Sequence, residues 1–363
     1  MTFDQIIIWI AAIGVLLGAA DYICGNRLGL GEKFEEGFKS MGPLALGMTG
    51  IICLTPVIAR YAGPMISPFF RMIGADPAVV GSFLAIDMGG YPLAMALADQ
   101  EAAGLYSGAI VSSTLGCTLT FCIPVGFSMI NRENFSGYSE GLLWGLIAIP
   151  FGSLIGGLAA GYNVVMLLWN TLPIFVVSML LAWGMKRIPE KMTSGCVIFG
   201  KILTAVIYAG LAAAAFEKLT GVVLIPGMDP IGEGLKAVCD IGVILLGIFP
   251  VLGVFTGLLS KPLSAAGKKI GFRDTDTAGM IFTMATVVAV FPMIKDMSKK
   301  GGVLNAAWLV SAASVFGDHL GYLAGVNRSM IFPMVVGKLA GGVLGVLLAA
   351  RAVKHRSDLE KID

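Results

Sequence analysis

Charge is the scarcest property of this chain. Asp, Glu, Lys and Arg make up 13% of its residues, against roughly 25% in a soluble globular domain. The longest polar stretches run to only about 15 residues, too short for a separate aqueous core. Histidine occurs twice. There is no C-x-x-C, no H-E-x-x-H, no G-x-x-x-x-G-K-S/T, and no haem or iron–sulfur spacing. These absences speak against a catalytic metal or a self-contained ATP-driven pump, and neither an enzyme nor a cofactor is expected. A net charge of +2 leaves no electrostatic footprint for nucleic acid. No alternating ten-residue pattern of barrel type occurs, so transmembrane strands are not expected. The N-terminal stretch lacks a basic n-region and an A-x-A site before its apolar run, and reads as a first spanning helix rather than a cleaved signal. Six cysteines are scattered, mostly within apolar runs, and read as free thiols packed like small apolar groups.

What is present is apolar sequence: 56% hydrophobic residues and a mean hydropathy of +0.86. Eleven apolar segments can be drawn, near 5–25, 41–60, 78–98, 104–130, 138–162, 164–185, 197–219, 238–259, 278–294, 303–325 and 329–351. Each approaches the roughly 20 residues a helix needs to cross a hydrocarbon core. The fold class is therefore an all-α polytopic membrane protein with about 9–11 transmembrane segments.

The segments repeat. Glu36–Lys39 (EGFK) returns as Glu233–Lys236 (EGLK), each before an apolar segment. Tyr91-Pro92 returns as Phe291-Pro292, and Asp76 as Asp276, both 200 residues later. Gly116–Leu119 falls opposite Gly317–Leu320 at 201. Segments 1–5 thus correspond to 7–11, with segment 6 between them. The expected organisation is a first membrane repeat over 1–163, a linker helix and loop over 164–196, a second repeat over 197–351, and a basic cytoplasmic tail over 352–363.

Loop charge tests the topology. If all eleven segments cross, the Lys and Arg of loops and tail divide 12 to 11 between the faces, against the positive-inside rule. If segments 3 and 9 enter and return on the same side, the division becomes 18 inside to 5 outside. That arrangement has nine crossings, with the repeats in opposite orientations and broken or re-entrant helices at segments 3 and 9. Inverted repeats of this kind are a frequent transporter plan. Segment 9 has no glycine pair to form a hairpin tip, so ordinary kinked spans are the competing arrangement.

Several polar residues sit where lipid should be. A carboxylate at the centre of a membrane helix costs at least about 2.5–3.5 kcal/mol on insertion scales. Asp87 is one such residue, followed by Gly89, Gly90, Tyr91 and Pro92, which interrupt helical hydrogen bonding and free backbone groups for a ligand. Tyr91 adds a cation–π face worth roughly 0.5–2 kcal/mol. The bland alternative is a structural kink with Asp87 as a cap. Asp318 and His319 lie inside segment 10, with Tyr322 one turn on. His319 suits proton relay or a hydroxyl hydrogen bond, and the alternative is an interhelical structural pair. Lys338, deep in segment 11, calls for an anionic partner, with Asp87 and Asp318 as candidates, and so reads as a charge balancer. Ser112, Ser113 and Thr114, in the repeat partner of the Asp318 region, either bond a polar ligand or help helices pack, packing being the safer reading. Trp169, Asn170, Asn305 and Trp308 are weaker candidates of the same kind. Lys201 snorkels and His355 is solvated in the tail.

Three stretches carry a resemblance: Glu35–Ile52, Asp87–Met95 (DMGGYPLAM) and, above all, Lys295–Val326 (KDMSKKGGVLNAAWLVSAASVFGDHLGYLAGV). With these the chain resembles the EutH family, the bacterial ethanolamine-utilisation permease, along nearly its whole length. The resemblance implies ethanolamine as substrate, the bacterial cytoplasmic (inner) membrane as location, and supply of a cytoplasmic ammonia-lyase pathway. It supplies no residue assignments. Ethanolamine is mostly a protonated amine at neutral pH, which fits the acidic and aromatic residues above at a midplane site exposed alternately to each face.

Other readings keep the same residues. One is a carrier of another small amine or a metal cation. A second is an intramembrane aspartyl protease with Asp87 and Asp318 as its dyad, although the sequence reads VFGD rather than G-x-G-D. A third is a sensor subunit, disfavoured by the lack of a soluble domain. A homodimer is the default assembly from the general preference for two-fold pairs.

Overall fold

The computed structural model describes residues 2–84, 89–269 and 271–354. Among the described residues all regular structure is helical. The first half comprises α1 (Phe3–Ile23), α2 (Leu30–Lys39), α3 (Met41–Met72), α4 (Val79–Phe83), α5 (Gly90–Leu97), α6 (Glu101–Leu105), a π-helical run over Tyr106–Gly116 and Thr118–Cys122, α7 (Ile123–Met129) and α8 (Phe135–Ala159). Next comes α9 (Val164–Arg187), followed by α10 (Pro189–Thr220), α11 (Ile231–Lys269), α12 (Asp274–Ala285), a 3-10 turn (Phe291–Asp296), α13 (Lys299–Ala312), α14 (Asp318–Val326) and α15 (Ile331–Lys354). Among the described residues eight helical stretches are long and apolar enough to cross a bilayer, and the chain is a multi-pass membrane protein.

Local chemistry sets the boundaries. The Asn163 side chain accepts from the amides of Val165 (2.9 Å) and Met166 (3.3 Å) and so starts α9. Pro189 opens α10, where its missing N–H costs nothing. Gly221, at φ +74°, closes that helix in the left-handed conformation.

Two segments fold back on themselves. Helices α4 and α5 run to and from the same end of the bundle, close enough that a Cβ on Gly81 would overlap Ala94. Asp76 closes the mouth. Its carboxylate accepts from the amides of Ala78 (2.9 Å), Asp99 (3.1 Å) and Gln100 (3.0 Å), joining the start of the hairpin to its finish. Asp276 does the same work in the second half, accepting from Arg273 N (2.9 Å), Ser298 N (2.9 Å) and Ser298 Oγ (2.7 Å). The residue matched at 200 positions therefore has a matched role. No glycine pair is needed to break the second hairpin. Thr286 is extended, at φ −155° and ψ 126°, and it opens a β-branched Thr-Val-Val run that resists helix.

The helix after each hairpin is also irregular. In the first half it persists but widens into π-helix. In the second half it breaks outright between α13 and α14. There Ser314 takes φ +52°, a costly conformation for a residue with a side chain. The amides released by the break donate to the last carbonyls of α12: Ser314 N to Thr283 O (2.8 Å) and Phe316 N to Met284 O (2.9 Å). Those carbonyls have no partner inside their own helix, so break and helix end satisfy each other.

Packing depends on glycine. α8 and α15 run antiparallel, with Gly145 beside Gly345, Gly152 beside Gly341, and Gly156 beside Pro333. Contacts elsewhere recur with the halves exchanged. Gly14 of α1 meets Gly247 of α11, and Gly50 of α3 meets Gly210 of α10. Gly37 abuts Leu245, and Gly234, its counterpart in the EGLK motif, abuts Thr49. Small residues allow this approach, and membrane helices, lacking a hydrophobic drive to associate, rely on it.

Three outcomes follow from these contacts. Gly247→Leu places a side chain against the Ala11 carbonyl and should cost about 1–3 kcal/mol in thermal unfolding in detergent, whereas Gly195→Leu, facing open space, should cost little. Asp276→Ala removes a charged acceptor from three donors and should cost about 3 kcal/mol by the same assay. Asp99, held in a bidentate pair by Arg71 (2.7 and 2.6 Å), keeps its carboxyl below the ordinary range because the guanidinium bonds it. A depressed carboxylate stabilises at neutral pH and loses that contribution as the pH falls through the carboxylate range. Asp99→Asn should therefore lower the melting temperature slightly at pH 7, and by less as the pH falls through the carboxylate range, slightly because both side chains are well exposed.

Candidate functional site

Ser112, Ser113 and Thr114 lie on the π-helical run, and Asp318, His319 and Tyr322 on α14 after the break. Asp318 is the first residue of α14, half-buried, with Gly317 as its N-cap. A helix N-terminus favours negative charge, which offsets part of the cost of a carboxylate at this depth. His319 follows, fully buried, and lies near the thiol of Cys117 on the π-helical segment. One turn along α14, Tyr322 is buried and meets Tyr91 of α5 edge to face, with ring centroids 5.8 Å apart. The Tyr91 hydroxyl accepts from Asn327 Nδ2 at 3.3 Å, at the far end of α14. An aromatic pair drawn from the two halves thus closes one side of the Asp318–His319 turn.

The π-helical segment packs alongside as a wall of the same region. Its wider coil brings residues five apart together, so Cys117 and Cys122 lie with their sulfurs 4.0 Å apart. Thr118 ties the wall to α13, donating to Val310 O (2.9 Å) while also bonding Thr114 O (2.8 Å). Lys338 of α15 is fully buried and donates from Nζ to the Ser113 carbonyl. Gly108 gives Tyr91 room to lie against the same wall.

The hydroxyl cluster behaves as packing chemistry. Ser112 donates to Ser107 O (3.1 Å), Ser113 to Ile110 O (2.9 Å), and Thr114 to Ile110 O and Val111 O (3.1 Å each). Each hydroxyl donates within its own helix, leaving its oxygen only as an acceptor. Gly89 packs against Ile51 and Gly90 is buried at the start of α5. Asp87 and His355 lie outside the described residues.

The weaker candidates are structural. Asn170 accepts from Asp76 N (2.8 Å). Asn305 donates to Asp276 O (2.9 Å), and Trp308 to Met280 O (3.0 Å). An open cleft of about 480 Å³ lies at the mouth of the first hairpin, lined among others by Arg71, Asp76, Asp99 and Trp169. Both of its carboxylates are committed, Asp99 to Arg71 and Asp76 to backbone amides, so it is a poor cation site. Asn327 and Cys117 were not picked out from sequence. Neither sits in a motif, and only folding brings them to Tyr91 and His319. Among the described residues no cluster of His, Cys, Asp and Glu could hold a metal.

Comparison with known proteins places this geometry in context. The family model described as "Ethanolamine utilisation protein, EutH" matches residues 3–352. The "Probable ethanolamine permease EutH" of Listeria monocytogenes serotype 1/2a (strain 10403S) is 45% identical, over 99% of this chain and 98% of its own. The protein of the same description from Escherichia coli (strain K12) is 41% identical, over 97% and 96%. "Uncharacterized protein YxeR" of Bacillus subtilis (strain 168) is 42% identical, over 96% and 95%. No solved structure matches the chain significantly. Two of these relatives are described as permeases, not as enzymes. On a match of nearly full length, the chain belongs to the EutH family.

Proposed function

We propose that this protein carries ethanolamine across the bacterial cytoplasmic membrane. The observation that carries the reading is the turn Asp318–His319–Tyr322, held at a helix break deep among apolar helices and facing Tyr91 from the other half. Protonated ethanolamine offers an ammonium and a hydroxyl. A carboxylate at a helix start and the faces of two tyrosines suit the ammonium. His319, with a ring nitrogen to donate or accept, suits the hydroxyl. Asp318 supplies the counter-charge to the bound ammonium. Lys338 then acts as a fixed balancing charge in the wall. The names carried by relatives at 41–45% identity support the same cargo.

The two halves act as inverted repeats around this site. Support comes from the swapped glycine contacts, the antiparallel run of α8 against α15, and the matched closure of the two hairpins by Asp76 and Asp276. With those hairpins re-entrant, basic loops gather on one face, which is then cytoplasmic and carries the C-terminus. Inverted halves give two related conformations, each opening the same site to one side.

Purified protein in liposomes should take up labelled ethanolamine, with imposed pH and voltage gradients showing whether charge or protons move with it. At limiting substrate, Asp318→Asn should lower uptake roughly tenfold or more, the equivalent of about 1.4 kcal/mol. Wild-type uptake by that variant would remove Asp318 from the site. Stronger competition by choline or divalent metals than by unlabelled ethanolamine would reassign the cargo. Single cysteines placed in 99–103 and in 131–140 should react with impermeant reagents from opposite faces, and reaction from one face would sink the inverted arrangement.

A further inference from the structure

The tyrosine pair that closes one side of the Asp318–His319 turn has a counterpart on the other side. Phe291 occupies the position of Tyr91 moved on by 200 residues. It is fully buried and lies edge-on to Tyr138, with ring centroids 6.3 Å apart. Tyr138 in turn meets Phe127 at 5.1 Å, and Phe127 meets Phe135 at 5.0 Å. The stack starts at half-buried Phe135, beside exposed Arg132 and Glu133, and passes inward to rings with essentially no exposure.

Its inner end adjoins the site. The Tyr138 hydroxyl donates to the Cys122 carbonyl at 2.7 Å, and the ring packs against Gly126, where any Cβ would overlap it. From Cys122 the line continues to Cys117, its sulfur 4.0 Å away, with His319 in the neighbourhood of that thiol. Beyond Cys122 this line reaches Tyr138 and Phe291, while on α14 Tyr322 leads to Tyr91 and its donor Asn327.

We propose that Phe291 and Tyr138, backed by Phe127, form the cytoplasmic gate of the pathway, paired with an outer gate made by Tyr91 and Tyr322. The inference rests on the transport reading above and adds residues to it. The two gates differ in build. The outer one is two rings fixed by one neutral hydrogen bond from Asn327. The inner one is four rings deep and keeps its single hydroxyl on a backbone carbonyl. Opening it must part more apolar surface, so release to the cytoplasm is the slower of the two openings.

Cys122 is a built-in reporter, because it is fully buried and its carbonyl accepts from the Tyr138 hydroxyl. In a background where Cys24, Cys53, Cys117, Cys196 and Cys239 are replaced by alanine or serine, a positively charged methanethiosulfonate should react slowly with Cys122 from either face. Phe291→Ala should raise that rate at least tenfold in inside-out vesicles and leave it unchanged in right-side-out vesicles. Phe291→Tyr, which keeps a ring, should remain slow. Phe127→Ala should show a smaller increase from the same face and serves if Phe291→Ala fails to fold, as judged by gel filtration. An unchanged rate from the cytoplasmic face in a folded variant, or an increase from the outer face, would overturn the gate. No substrate enters this measurement, so a wrong cargo assignment and a wrong gate give separate results.

Discussion

Backbone groups inside a bilayer have no water to turn to, and that constraint organises this molecule. A membrane helix can break only where something else accepts its amides and covers its carbonyls. Several irregularities among the described residues meet that condition with a specific partner. Asp76 and Asp276 gather the amides where the two hairpins close. The break before Asp318 is satisfied by the last carbonyls of α12. On the π-helical segment, Lys338 donates to the Ser113 carbonyl, and Thr118 reaches across to α13. The irregular backbone and the buried polar side chains are two sides of one arrangement.

Close packing makes that arrangement possible. Glycines at the crossings of α1 with α11, α3 with α10 and α8 with α15 bring backbones into contact and leave no slack between helices. A well-packed interior moves between discrete arrangements rather than deforming smoothly. That property suits the proposed alternation between two related conformations. The aromatic layers on either side of Asp318–His319 are where such a movement would part or close surface.

Much of this was legible in the chain. The positions of the apolar segments, the Asp76–Asp276 match and the concentration of rare polar residues in segments 3, 4, 10 and 11 can be read from periodicity and charge. The boundaries were less visible. α3 runs on to Met72 through three internal prolines, because membrane helices tolerate proline where neighbours and side chains re-satisfy the backbone. Segment 10 reads as one span but divides between α13 and α14, since nothing in Ala-Ser-Val-Phe marks a break until the carbonyls of α12 lie alongside. Asn327 and the Phe291–Tyr138 pair were silent because their role depends entirely on what they touch.

Composition and spacing alone determined that this is a helical membrane protein with recurring motifs and costly polar groups inside its apolar segments. These features follow from local rules: the length of an apolar run, the scarcity of charge, the recurrence of a motif. Only the folded chain decided which of those groups meet. Tyr91 and Tyr322 are separated by most of the sequence, as are Cys117 and His319, and their contacts depend on glycine-mediated crossings and on amides that must find acceptors. One-dimensional patterns report what lipid will tolerate; the pairing of helices reports what the tolerated groups can do.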